Sequence, residues 1–206
     1  MRFAMPELGA VTYLLFVVYL ANFLMLSAVA ARQAARPVWL LDAGEPLQRL
    51  TGWGFRIAFA AALVWPPMRL WSGGLASDPL TTAVAGTASA LSGHLLVAVG
   101  AAVALVAQYH MGPAWRIGAA EGGQGGLVQS GPFAISRNPV FLGQITLFAG
   151  LLLAFPDVVQ ALIFFTVLVA ALVQVRIEER VLARTFGDVY DDYAARVPRW
   201  IGRIRS

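Results

Sequence analysis

No cysteine and no lysine occur among the 206 residues, and histidine occurs twice, at His94 and His110. Without cysteine there is no disulfide and no thiolate metal ligand, and two well-separated imidazoles fall short of an ordinary zinc site, so no metal centre is expected. Without lysine, all 15 cationic side chains are arginines, charged at any physiological pH. Charge of either sign is scarce, at 13% of residues against 59% hydrophobic, and the formal net charge is +4. Soluble domains are about 45–50% apolar, so a mean hydropathy of +0.70 makes a lipid bilayer the expected solvent and argues against a nucleic-acid partner. The weak alternation of roughly 10-residue barrel strands is also missing, and only helices or closed barrels satisfy the backbone in hydrocarbon. The expectation is an all-α polytopic membrane protein, with residues 1–206 forming a single membrane domain.

Residues 8–31 make a first span, longer than the roughly 20 residues that cross the hydrocarbon. Ala28-Val29-Ala30 resembles a signal-peptide cleavage site, but the apolar core exceeds the roughly 7–15 residues of such a segment, and a retained helix is favoured. A polar connection with Pro37, Asp42 and Pro46 leads to a second span at 52–70, ended by Pro66 and Pro67 because proline lacks an N–H and collides with the preceding turn. Arg56, one turn inside, is read as snorkelling to the interface, with a substrate-facing role as the alternative. In a third stretch, 80–109, Gly86, Gly93 and Gly100 recur every seven residues, with Ala90 and Ala104 near the same face. Small residues in that pattern predict a helix-packing seam. His94 lies within it and reads as a hydrogen-bonded interior histidine, the alternative being function.

Residues 139–155 and 158–175 are the fourth and fifth spans, joined by Pro156-Asp157. Asn138 is placed to cap the fourth, and Pro139 suits its first position, where no N–H is needed. From Arg176 onward, RIEERVLARTFGDVYDDYAARVPRW predicts a charged, aromatic, amphipathic helix at the membrane surface. With about five spans, the side holding the first and third loops and the tail carries Arg32, Arg36, Arg49, Arg116, Arg137, Arg176, Arg180, Arg184, Arg196, Arg199, Arg203 and Arg205. The other side has Arg2 and Arg69. That asymmetry predicts the N-terminus outside and the tail in the cytoplasm.

Chemistry concentrates at two places. The polar turn LVQSGPFAISRNP runs directly into the fourth span, and Arg176, Glu178 and Glu179 close the fifth; the short hairpin between the two spans brings both groups to the cytoplasmic side. The nearby glycines, Gly122, Gly123, Gly125 and Gly126, read as a linker. A dinucleotide fingerprint needs a strand, a glycine turn and a helix, which an all-helical chain does not offer.

The set LVQSGPF, SRNPVFLG, RIEERVL, FGDVYDDY and VPRW, with one apolar hairpin inside it, resembles the isoprenylcysteine carboxyl methyltransferase and phospholipid methyltransferase superfamily of membrane enzymes. The likeness covers residues 110–200. Members share a glycine-aromatic turn, an Arg-His-Pro motif, a Glu-Glu pair and a Tyr-rich C-terminal helix ending in Val-Pro. The resemblance implies S-adenosylmethionine as donor, released as S-adenosylhomocysteine, at the cytoplasmic face of a membrane that the bacterial-looking motifs make an inner membrane. By motif, Leu127, Val128 and Gly131 border the cofactor through backbone groups, Arg137, Asn138 and Pro139 fill the Arg-His-Pro position, and Arg176, Glu178 and Glu179 fill the Glu-Glu position. Tyr190, Tyr193 and Arg199 match the tail, and Trp115 and Arg116 lie in a segment that also resembles bacterial members. Asn138 departs from the usual histidine, so no imidazole titration is available there.

The donor's groups suit these residues. Glu178 can take its ammonium or ribose, Arg137 or Arg176 its carboxylate, and Trp115, Phe133 or Tyr190 its adenine or sulfonium. Methyl transfer is an in-line displacement that gains mainly from positioning in a water-poor site. A carboxylate or thiolate acceptor needs no base, whereas an amine or hydroxyl does, and Glu179 is the candidate, with Arg176 beside it. The acceptor is left open between a prenylcysteine-like carboxylate, a phospholipid amine and a small thiol, as is the oligomeric state. Two other readings stand: an NADPH-dependent sterol-type membrane reductase, which resembles the same C-terminal half, and an inactive accessory subunit.

Overall fold

The computed structural model describes residues 5–35, 37–42, 45–71, 78–118 and 125–202. Gly122, Gly123, Arg2, Arg36, Arg203 and Arg205, used above, lie outside the described residues. The helices are α1 (Met5–Ala34), α2 (Pro46–Trp71), α3 (Pro79–Val84), α4 (Thr87–Met111), α5 (Pro139–Ala154), α6 (Val158–Phe186) and α7 (Asp188–Arg196), with single 3-10 turns at Gly112–Ala114 and Gly131–Ala134. Helices at Glu7–Ala34, Thr87–Ala114 and Val158–Phe186 are long and apolar enough to cross a membrane, and Pro139–Ala154 is a shorter apolar helix. The architecture is that of an all-α polytopic membrane protein.

Helices α4 and α5 make the most extensive contact, and glycine is the reason. A Cβ on Gly93 would lie 2.6 Å from the Ala154 nitrogen, one on Gly143 2.6 Å from the Ala104 nitrogen and one on Gly150 2.6 Å from the Val97 nitrogen. Gly100 faces the backbone of Gly143 and Leu147 in the same way. Each helix therefore carries two glycines seven residues apart, and the antiparallel backbones touch where side chains would hold them apart. Ala90 and Ala104 are buried in the same stripe, as expected. Gly86 is not: a Cβ there meets nothing within 4 Å, because the predicted third stretch breaks at this residue. Asp78 caps α3, accepting from the Leu80 and Thr81 nitrogens at 2.9 and 3.1 Å. Gly86, in extended conformation, starts α4 afresh, its N–H donating to the Ser89 hydroxyl at 3.1 Å.

Two further expectations are corrected. Pro66 and Pro67 sit inside α2, which continues to Trp71. Proline at 67 deprives the Leu63 carbonyl of its helical donor, and the Tyr13 hydroxyl of α1 replaces it at 2.8 Å. On both sides of the prolines the helix is tied to the α5–α6 turn: Asp157, fully buried, accepts from Trp65 Nε1 at 3.0 Å and pairs with Arg69 at 3.2 Å. The surface helix, likewise, does not begin at Arg176. Helix α6 runs unbroken to Phe186 and turns only at Gly187, whose φ of 51° lies in the left-handed region that glycine tolerates. His94 is hydrogen-bonded as expected, its Nδ1 3.1 Å from the Thr12 hydroxyl of α1, but half-buried rather than interior.

Candidate functional site

At one end of the bundle the α1–α2 connection, residues 112–138 and the tail come together. Residues 38–40 pair with Ile117, which donates to the Val38 carbonyl at 2.7 Å and accepts from the Leu40 nitrogen at 2.8 Å. Gly118 follows with φ of 93°, and a Cβ there would come within 2.8 Å of the Leu41 nitrogen. This close approach presents the Gly118 N–H to Glu178 and brings the Arg116 charge near the same carboxylate. Gln174, one turn earlier on α6, donates to Glu178 and to Gln48 of α2, both at 3.2 Å, and accepts from Thr51 at 2.8 Å. Glu178 is thus held by the 116–118 segment and by Gln174 of its own helix, which α2 in turn fixes.

The second carboxylate is the hub of the tail. Arg199 Nε and Nη2 donate to Glu179 Oε2 at 2.9 and 2.6 Å, Asn138 Nδ2 donates to Oε1 at 3.2 Å, and Arg137 Nη1 lies 3.4 Å from Oε1. The main chain reinforces the junction: the Arg137 N–H donates to the Pro198 carbonyl at 3.0 Å, and Asn138 Nδ2 and the Ser136 hydroxyl donate to the Arg199 carbonyl at 3.2 Å. Asn138 therefore spends its side chain on α6 and the tail and makes no capping bond to α5, contrary to the expected role. Arg137 Nη1 also donates to the Tyr190 hydroxyl at 3.2 Å, and Tyr193 donates to the Phe133 carbonyl at 2.7 Å. Burial and the neighbouring Glu179 charge hold the Tyr190 phenol above its ordinary range, so it stays neutral. The bond to Glu179 raises the Arg199 guanidinium further.

These groups surround a cavity of about 230 Å³. Of the anticipated residues, Arg116, Leu127, Val128, Arg137, Asn138, Pro139, Glu178, Glu179, Tyr190 and Tyr193 line it, as do Trp115 and Phe133. Arg199 reaches it through Glu179. Gly131 does not line it; with φ of 59° it turns the chain, and a Cβ there would lie 2.6 Å from the His110 ring. Arg176 is exposed and off the cavity. Two residues from Glu178 on a continuous helix, it points roughly 200° away.

Several lining residues were not anticipated. Leu20, Phe23 and Leu24 of α1, and Phe55 and Phe59 of α2, form an apolar wall, whose one charge is Arg56, the residue for which a substrate-facing role was the alternative to snorkelling. Gln144 of α5 lines the cavity and donates to the Tyr19 hydroxyl at 3.1 Å. A signal existed for Gln144 and Gln174, since amides within apolar spans are costly unless partnered or used. The apolar α1 and α2 residues carry no such mark.

The family model of phospholipid methyltransferase matches residues 88–189, from the first turn of α4 into α7. It takes in the glycine seam, Arg137 to Pro139 and both carboxylates. No curated protein and no solved structure matches the chain. Helical membrane architecture, a cavity lined in part by the matched segment and the family match lead to one identification: through residues 88–189 the chain belongs to the phospholipid methyltransferase family, in the same superfamily as the isoprenylcysteine carboxyl methyltransferases, and the match supports an integral membrane methyltransferase.

Proposed function

We propose that the chain transfers a methyl group from S-adenosylmethionine to a lipophilic or small acceptor that reaches the cavity from the bilayer. The observation that carries this reading is the union, in one cavity, of a charged end with Arg116, Arg137, Glu178 and Glu179 and an apolar wall from α1, α2 and α5. The charged end fits the donor. Arg137 lines the cavity with its Nε buried and without a hydrogen-bond partner, an unsatisfied donor of the kind a carboxylate ligand completes. Glu178 suits the ammonium or the ribose hydroxyls, and Tyr190, Trp115 and Phe133 supply aromatic faces. When bound, the donor supplies an electrophilic methyl on a sulfonium; the protein's part is to orient it, exclude water and hold the acceptor in line.

Glu179 is the weaker candidate for a base. Its oxygens are engaged by two guanidiniums and an amide, which occupy both of them and block an acceptor's approach. It is better read as a positioning residue that fixes Arg137 and the tail. Glu178, held by neutral amide donors and near Arg116, is the carboxylate available to receive a proton from an amine or hydroxyl acceptor. A carboxylate or thiolate acceptor needs neither. Arg176, exposed on the other face, is left out of the chemistry.

The test is ligand stabilisation of the purified protein, followed by a labelled-methyl screen against lipid extracts, small thiols and prenylcysteine analogues. S-adenosylhomocysteine at a hundred times its Kd stabilises by about 2.7 kcal/mol, and NADPH is expected to do nothing. Stabilisation by NADPH alone would replace this reading with the reductase. Normal cofactor binding by Glu178→Ala and Arg137→Ala variants would overturn the site assignment.

A further inference from the structure

The cavity lining reaches the surface on α1 and on the connection that leads to α2. Leu24 is 47% exposed and Trp39 50% exposed, although both line the cavity. In the apolar wall Arg56 is the cation that takes no part in the Glu178 and Glu179 networks: its bonds go to Asp42, Nη1 to Oδ1 at 3.0 Å and Nη2 to Oδ2 at 2.6 Å, while its guanidinium lies 5.2 Å from the Trp53 ring centroid. Asp42 belongs to the connection that precedes α2, so the paired charges sit at the site's end of the bundle. The Asp42 side chain is 63% exposed. An exposed pair of this kind contributes about 0–1 kcal/mol, and Asp42 released from Arg56 returns to water at little cost. The guanidinium is thus a bidentate carboxylate site at the mouth of an apolar cleft, occupied by a weakly held internal anion.

We propose that Arg56 binds the anionic headgroup of the acceptor, with Asp42 filling its fork in the empty protein. This rests on the methyltransferase reading and names the substrate class within it. The acceptor is an amphiphile bearing a carboxylate or phosphate at the interface. Its chain lies along Leu20, Leu24, Phe55 and Phe59, and its methyl-accepting group points to the Glu178 end.

The experiment uses the full-length protein in phosphatidylcholine nanodiscs with three diazirine-bearing C16 probes: a fatty acid, a lysophosphatidate and a fatty alcohol. Labelling of α1 and α2 peptides by at least one anionic probe should exceed the alcohol about tenfold, the worth of one lost charge-assisted pair. Arg56→Gln should bring it down to the alcohol's level, and Asp42→Asn, which removes the competitor, should raise it. The two anionic probes tell carboxylate from phosphate. Labelling by the alcohol equal to both anions, insensitivity to Arg56→Gln, or a fall with Asp42→Asn each overturns the proposal. S-adenosylhomocysteine stabilisation is measured on the same Arg56→Gln sample. If it persists while anion labelling fails the test, this proposal alone falls; if it is absent from the wild type too, the methyltransferase reading falls with it.

Discussion

Asn138 shows what its position must do. Its Nδ2 donates to Glu179 and to the Arg199 carbonyl, so the junction asks for a donor, not for a titrating base. Imidazole can donate as well, which reconciles this residue with the histidine more usual at that place in the superfamily. Asn138→His should therefore fold and bind cofactor nearly as well as the natural chain. Asn138→Ala strands the facing carboxylate and carbonyl and should cost about 1–3 kcal/mol. Asn138→Asp sets a second carboxylate against Glu179 and should be worse than alanine. Thermal unfolding of detergent-purified variants reads all three, and an alanine variant as stable as the natural chain would refute the donor role. Glu179→Ala should cost about 3–5 kcal/mol, because Arg137 is left beside an empty, largely buried hub. Glu179→Gln, which preserves shape and one acceptor, should lose less.

At the scale of helices, the α4–α5 seam makes the sharpest claim. Gly100→Ala places a methyl against the backbone of Leu147 and Gly143, which cannot swing aside as a side chain can, so the helices must part; about 1–3 kcal/mol is expected. Gly86→Ala, in open space and with an extended backbone, should stay within about 0.5 kcal/mol. Denaturant-dependent helicity compares the two, and equal effects would refute the seam. This pair also marks how far sequence reading carries. Spacing of seven exposes Gly93 and Gly100 because packing periodicity is local, and the carboxylate pair on α6 and the Arg137 turn are legible for the same reason. The restart at Gly86, the survival of α2 through Pro67 and the outward face of Arg176 depend on partners elsewhere: the Asp78 cap, the Tyr13 hydroxyl and the unbroken run of α6 to Gly187. The cavity's apolar wall was illegible because Leu20, Phe23, Phe55 and Phe59 differ in no local respect from the lipid-facing residues beside them.

At the scale of the whole molecule, the bundle has two unlike ends. One gathers Arg116, Arg137, Arg199 and both glutamates around the cavity, with Arg32, Arg49, Arg176, Arg180, Arg184 and Arg196 on the elements that meet there. The other is closed by the buried Asp157–Arg69 pair and Asp78, whose Oδ2 accepts from the Val158 nitrogen at 3.1 Å. Positive charge in short loops is retained in the cytoplasm, so the cavity end should face the compartment where a soluble, nucleotide-derived donor is found. The chain's lack of cysteine makes this directly measurable, since an introduced thiol is the sole target for a maleimide. Asp192→Cys on α7 and Thr82→Cys on α3 are exposed sites at opposite ends. In sealed right-side-out vesicles a membrane-impermeant maleimide should label Thr82→Cys and spare Asp192→Cys, and permeabilisation should expose the second. The opposite pattern would put Glu178 and Arg137 on the side without the donor, and the proposed cofactor would have no route to the residues that fit it.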